Sequence, residues 1–89
     1  MSFDMIQKVY RFPNSLGASV VCHEFSYGGK NGLWELALIR FKNMEDPESW
    51  EFYYHDLTNN DVVGWLSQKD VEELLEKIKA LPAPPPTPP

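Results

Sequence analysis

Cysteine is nearly missing from this sequence. Cys22 is the only one, so no intramolecular disulfide can form, whereas a short chain built for an oxidising compartment usually carries several. The expectation is a reducing, cytoplasmic setting. Long apolar runs are also missing: no window approaches the roughly 18 apolar residues of a membrane-crossing helix. The opening Met1-Ser2-Phe3-Asp4 lacks the basic and apolar stretches of a secretion signal. Bases are outnumbered, eight against 13 acids for a net charge of −5, which repels phosphate backbones and argues against nucleic acid as a partner. With only two histidines, His23 and His55, a metal site or a catalytic dyad has few residues to draw on.

The charge that is present is unevenly placed. Residues 1–42 carry five bases against three acids, while residues 43–89 carry ten acids against Lys69, Lys77 and Lys79. Between Lys42 and Lys69 stand Glu45, Asp46, Glu48, Glu51, Asp56 and Asp61 with no base among them. Such a surface attracts a basic partner.

Alternating side chains predict a strand over Met5 to Phe12, with Ile6, Lys8, Tyr10 and Phe12 on one side. Pro13 lacks the donor a central strand needs, and a loop is expected over 13–17. A second strand follows from about Ala18 to Ser26, with Val20 and Cys22 on one face. Tyr27-Gly28-Gly29-Lys30-Asn31-Gly32 then reads as a hairpin turn, because glycine and Asn-Gly accept the positive φ that tight turns require. The third strand, Leu33 to Phe41, is apolar in its middle on both faces: Ala37, Ile39 and Phe41 on one, Trp34, Leu36 and Leu38 on the other. A fourth strand opens at Trp50 with Phe52 and Tyr54 on its face, and Val62 to Leu66 is a short fifth strand weakened by Gly64.

The last element has the plainest signals. Ser67 and Asp70 form a capping-box pattern, Leu66 and Val71 a hydrophobic staple, and Val71, Leu74, Leu75, Ile78 and Leu81 a stripe at helical spacing. Pro82 stops the helix. Six of the eight prolines fall in the last eight residues, so this stretch is an extended tail rather than part of the core. The fold class is α+β: an antiparallel four- to five-stranded meander followed by one C-terminal amphipathic helix packed on one sheet face. Residues 1–81 form the domain, and residues 82–89 a proline-rich disordered tail.

One helix covers one face of such a sheet. The other face, expected to hold Trp34, Leu36 and Leu38 with Val20 and Cys22, then needs a homodimer, another protein, or long polar side chains folded over it.

Residues of catalytic type crowd together only at Cys22-His23-Glu24 and His55-Asp56. Successive strand residues face opposite ways, so Cys22 and His23 cannot serve one site unless the strand is bulged. A small metal-binding protein or hydrolase using Cys22, His23, His55 and Asp56 is the alternative reading. The glycine turn lacks the Gly-Lys-Ser/Thr ending of a phosphate-binding loop and leads into a strand, so no cofactor is expected. Asp56 and Asp61 flank an Asn-rich turn without the spacing of a calcium loop. Lys79 to Pro85 matches the basic-x-x-Pro-x-x-Pro pattern read by polyproline-binding domains, though its basic residue falls on the helix end.

Tyr27-Gly28-Gly29, Gly32-Leu33-Trp34-Glu35-Leu36, Asp61-Val62-Val63-Gly64-Trp65-Leu66 and the leucine-rich helix together resemble a pattern in small uncharacterised accessory proteins of tailed bacteriophages. The resemblance spans residues 27–81 and its motifs are structural. It implies action in the cytoplasm of a bacterial host and carries over no catalytic residue. The function expected is that of a small non-enzymatic protein-binding module, or inhibitor, that occupies a surface of a host protein. Contact would run through the acidic residues or through the apolar face of Trp34, Leu36 and Leu38.

Overall fold

A computed structural model describes residues 6–22, 33–58 and 62–85. The expected glycine turn, His23 and the Asn59-Asn60-Asp61 turn lie outside the described residues, as do residues 86–89 of the tail. The elements run β1 (Ile6–Arg11), β2 (Leu16–Cys22), β3 (Trp34–Phe41), β4 (Trp50–Phe52), β5 (Val63–Leu66) and α1 (Gln68–Lys79). All strand pairs are antiparallel, in the order β1-β2-β3-β4, and β5 also pairs with β3. The α+β meander with one C-terminal helix is therefore what the chain forms.

The first hairpin is tighter than its sequence implied. Ser15 N donates to Phe12 O at 3.1 Å and Phe12 N to Leu16 O at 2.8 Å, so only Pro13, Asn14 and Ser15 are spent on the turn. Ser15 takes the left-handed conformation, φ 71°, that closes a three-residue hairpin loop. β2 consequently starts at Leu16, and Gly17 belongs to the strand. A Cβ there would sit 1.9 Å from Tyr10 O and 2.9 Å from the Phe41 ring, so only glycine lets β1 and Phe41 close on it.

β4 and β5 are two pieces of one lane. Phe41 and Ile39 pair with Trp50 and Phe52, and Tyr53 N still donates to Leu38 O at 2.9 Å. The chain then leaves the sheet through the 3-10 turn Asp56–Thr58 and returns to pair Val63 with Leu36 and Leu66 with Trp34. The strand expected to continue from Trp50 past Tyr54 thus ends at Phe52.

Pairing fixes the faces. Leu16, Ala18 and Val20 stand opposite Arg40, Leu38 and Leu36, and α1 lies on this side. Val71 and Ile78 of the helix join Leu16, Ala18, Val20, Leu36, Leu38 and Leu66 in the main core, where Leu16, Leu36 and Ile78 are wholly buried. Leu66 and Val71 meet there as the staple predicted. Ser67 Oγ accepts from Asp70 N and an Asp70 carboxylate oxygen accepts from Ser67 N, both at 3.1 Å, which completes the capping box.

This overturns one expectation. The face carrying Trp34, Leu36, Leu38, Val20 and Cys22 is the one the helix covers, so these residues serve the core and leave no open face for a partner. On the opposite face the chain itself covers β3, while Val9 of β1 stays exposed. Met44, Trp50 and Val62 pack on Ala37, Ile39 and Phe41, and Arg11 lies 5.8 Å over the Phe41 ring while donating to Met44 O at 2.7 Å. Gln7 reaches across to Ser19 Oγ at 3.1 Å. Nothing in this packing calls for a dimer through Trp34, Leu36 and Leu38. No helix among the described residues is long and apolar enough to cross a membrane.

Candidate partner-binding surface

What the loops leave uncovered is a rim of aromatic side chains along the β4–β5 lane. Phe52 is 56% exposed, Tyr54 70% and Trp65 61%. Single exposed apolar residues are ordinary, but three large aromatics on one lane of so small a protein are not. Phe52 stands opposite Ile39, on the helix-free face, and packs edge-on against Trp50 with ring centroids 6.2 Å apart.

Trp65 is held there against a backbone preference. The ladder pairs Trp34 with Leu66 and Leu36 with Val63, which leaves Gly64 and Trp65 together opposite Glu35, a bulge. Its backbone is left-handed, φ 59°, a conformation costing a non-glycine residue roughly 1–2 kcal/mol. Leu66 and Val63 both turn toward the main core, and the residue between them that carries the bulk is pushed outward. The neighbouring Gly64 could have taken that conformation freely.

Where the lane is interrupted, a cleft of about 170 Å³ opens between Ala37, Leu38, Phe52, Tyr53, Tyr54 and Val62. Among the described residues no charged side chain lines it. Tyr53 stacks on His55 at 6.2 Å, and His55 Nδ1 accepts from Leu57 N at 3.0 Å, so the histidine shapes the turn that follows Tyr54.

The acidic residues do not form one patch. Glu45, Asp46 and Glu48 are all exposed on the loop between β3 and β4. That loop is rigidly built: the Asn43 side chain accepts from Glu45 N and the Asp46 carboxylate from Glu48 N, both at 2.9 Å. Ser49 Oγ ties Asn43 O and Asp46 O together. Glu51 lies apart from them in charge, offset by Lys42 at 3.4 Å and facing Arg40 across the ladder. Asp56 begins the 3-10 turn, and Asp61 is outside the described residues.

Cys22 is buried on the helix side, whereas His55 and Asp56 belong to the excursion between β4 and β5. Among the described residues no three His, Cys, Asp or Glu side chains come together as a metal site would require. The chain matches no family model, no curated protein and no solved structure.

Proposed function

We propose that this chain is a small, non-enzymatic protein-binding module that grips its partner along the rim of Phe52, Tyr54 and Trp65. The observation that carries the reading is Trp65, a large side chain held in solvent by a strained backbone that does nothing for either core cluster. Strain of this kind persists where a site needs it. Tryptophan and tyrosine are also the side chains that dominate binding hot spots. The exposed loop of Glu45, Asp46 and Glu48 adds a negative field beside the Phe52 end of the rim, which steers a basic partner and speeds encounter more than it tightens the complex. The resemblance to accessory proteins of tailed bacteriophages favours a bacterial host protein as that partner, bound in the cytoplasm so that one of its surfaces is occupied.

Capture from bacterial lysate by the immobilised chain tests this when run beside a Phe52→Ser, Tyr54→Ser double variant and a Glu45→Gln, Glu48→Gln double variant. A specific partner should be lost with the first at any salt concentration. With the second it should weaken at low salt and match the parent at high salt, where surface charges are screened beyond about 3 Å at 1 M. A partner held equally by the folded rim variant would refute the assignment.

A further inference from the structure

The two edges of the sheet are finished differently. The β4–β5 lane is broken into strands of three and four residues and carries a bulge, features that keep an edge from pairing with another chain. β1 runs six residues in unbroken register with β2, without proline or bulge, and among the described residues no strand lies on its outer side. Phe12 N donates to Leu16 O, so Phe12 turns its backbone groups toward β2, and alternation along the strand makes Tyr10, Lys8 and Ile6 do the same. Gln7, Val9 and Arg11 therefore hold their N–H and C=O groups outward. Charged side chains commonly guard such an edge. The two cations of β1 are instead folded back over the chain's own sheet, with Lys8 Nζ 5.4 Å over the Trp34 ring and Arg11 over the Phe41 ring.

Apolar side chains are left open on the same strand. Ile6 is 49% exposed and Val9 45%, and they lie on opposite faces, Ile6 opposite Cys22 on the helix side and Val9 opposite Ser19 on the other. A ligand on either face would cover one of them. A strand laid alongside covers both, and a second copy of β1 supplies one whose side chains match. With a two-fold axis at Val9, all of residues 6–12 pair in antiparallel register: Ile6 with Phe12 of the second copy, Gln7 with Arg11, Lys8 with Tyr10, and Val9 with itself. No charge meets its like. An axis at Lys8 or at Arg11 sets two cations directly opposite each other, which destabilises a strand pair. An axis at Tyr10 throws Ile6 and Gln7 against the Pro13-Asn14 turn.

We infer that β1 pairs with β1 of a second copy, antiparallel about a two-fold axis at Val9, joining two sheets into one. This surface is separate from the rim of Phe52, Tyr54 and Trp65, so the dimer is testable without that reading. Sedimentation of the full chain should give the mass of one chain at low concentration and of two at high concentration. Val9→Lys sets two cations on the axis at a position already exposed, and should raise the dissociation constant at least about tenfold. An unchanged circular dichroism spectrum checks that the variant folds. Val9→Cys tests the register: residues that exchange both backbone hydrogen bonds lie about 5.5 Å apart at Cα, within disulfide reach, so mild oxidation should link two chains. Gln7→Cys would stand about 13 Å along the strand from its counterpart and should not link. The native Cys22 is buried and does not compete. A parent of single-chain mass at every concentration would overturn the proposal. So would a dimer that Val9→Lys leaves intact, or equal linking by the two cysteine variants. A single-chain parent that captures a partner and loses it in Val9→Lys would overturn it in favour of that partner's own strand at this edge.

Discussion

Asn14 works as a helix cap from outside the helix. Its side-chain nitrogen donates to Ile78 O and Leu81 O, both at 2.9 Å, and lies 3.4 Å from Lys79 O, while its oxygen accepts from Leu16 N at 3.0 Å. One amide therefore joins the first turn of the chain to the last turn of α1 and satisfies carbonyls that a helix end leaves without intrahelical partners. Asn14→Ala should cost about 0.5–1.5 kcal/mol in urea unfolding, the net range for a typical intramolecular hydrogen bond, since Asn14 is half-buried. Asn14→Asp should cost more at neutral pH, because it turns a carboxylate toward carbonyl oxygens, and its deficit should shrink as acid protonates the carboxyl. At the other end of the helix, the hydrogen bonds from Ser67 hold the Asp70 carboxyl below the usual carboxylate range. A depressed folded value means that the capping box contributes its stability above the ordinary carboxylate pKa, near 4, and loses it as pH falls through the lower value. Helix content followed by circular dichroism should therefore drop as pH falls below the ordinary carboxylate range in the parent and stay flatter in Asp70→Asn, which keeps an acceptor that does not titrate.

At the scale of elements, the helix is legible from sequence almost to its ends, since cap, staple, stripe and stopping proline all act within a few residues of one another. The choice of sheet face is not local. β3 is apolar on both sides, and which side receives α1 depends on what its neighbours place there. A signal for it existed in β2: Gly17 and Ser19 share a face with Glu35, whereas Leu16, Ala18 and Val20 line up with Leu36 and Leu38. The larger side chains win the helix. The interruption of the β4–β5 lane was marked only by Gly64 and the Asn-rich turn, and the outward thrust of Trp65 depends on a bulge that appears only once the lane is paired with β3. Asn14, read as a turn residue, gave no hint of its reach across 64 residues to Ile78. If α1 completes the core as the contacts show, Ile78→Ala, at a wholly buried position, should lower stability by about 2–5 kcal/mol in the same urea assay. Glu72→Ala, at an exposed position of the same helix, should stay within about 0.5 kcal/mol of the parent.

The described part of the molecule has a closed interior, with exposed aliphatic side chains Ile6 and Val9 on β1 and exposed aromatic ones along the β4–β5 lane. One sheet face is covered by the helix, the middle of the other by Met44, Trp50 and Val62, and the exposed aromatic side chains lie along β4, the excursion after it and β5. This arrangement separates the residues that hold the fold together from those proposed to hold a partner, so the two can be changed independently. Trp65 makes the separation sharpest, because its left-handed backbone opposes stability while its side chain is the proposed contact. Asparagine accepts that conformation more readily than tryptophan does. The decisive measurement is partner capture by Trp65→Asn, with its urea midpoint taken on the same preparation. Capture should fall at least about tenfold, a loss of about 1.4 kcal/mol, while the midpoint holds or rises. Capture equal to the parent's by a folded Trp65→Asn protein would contradict the account.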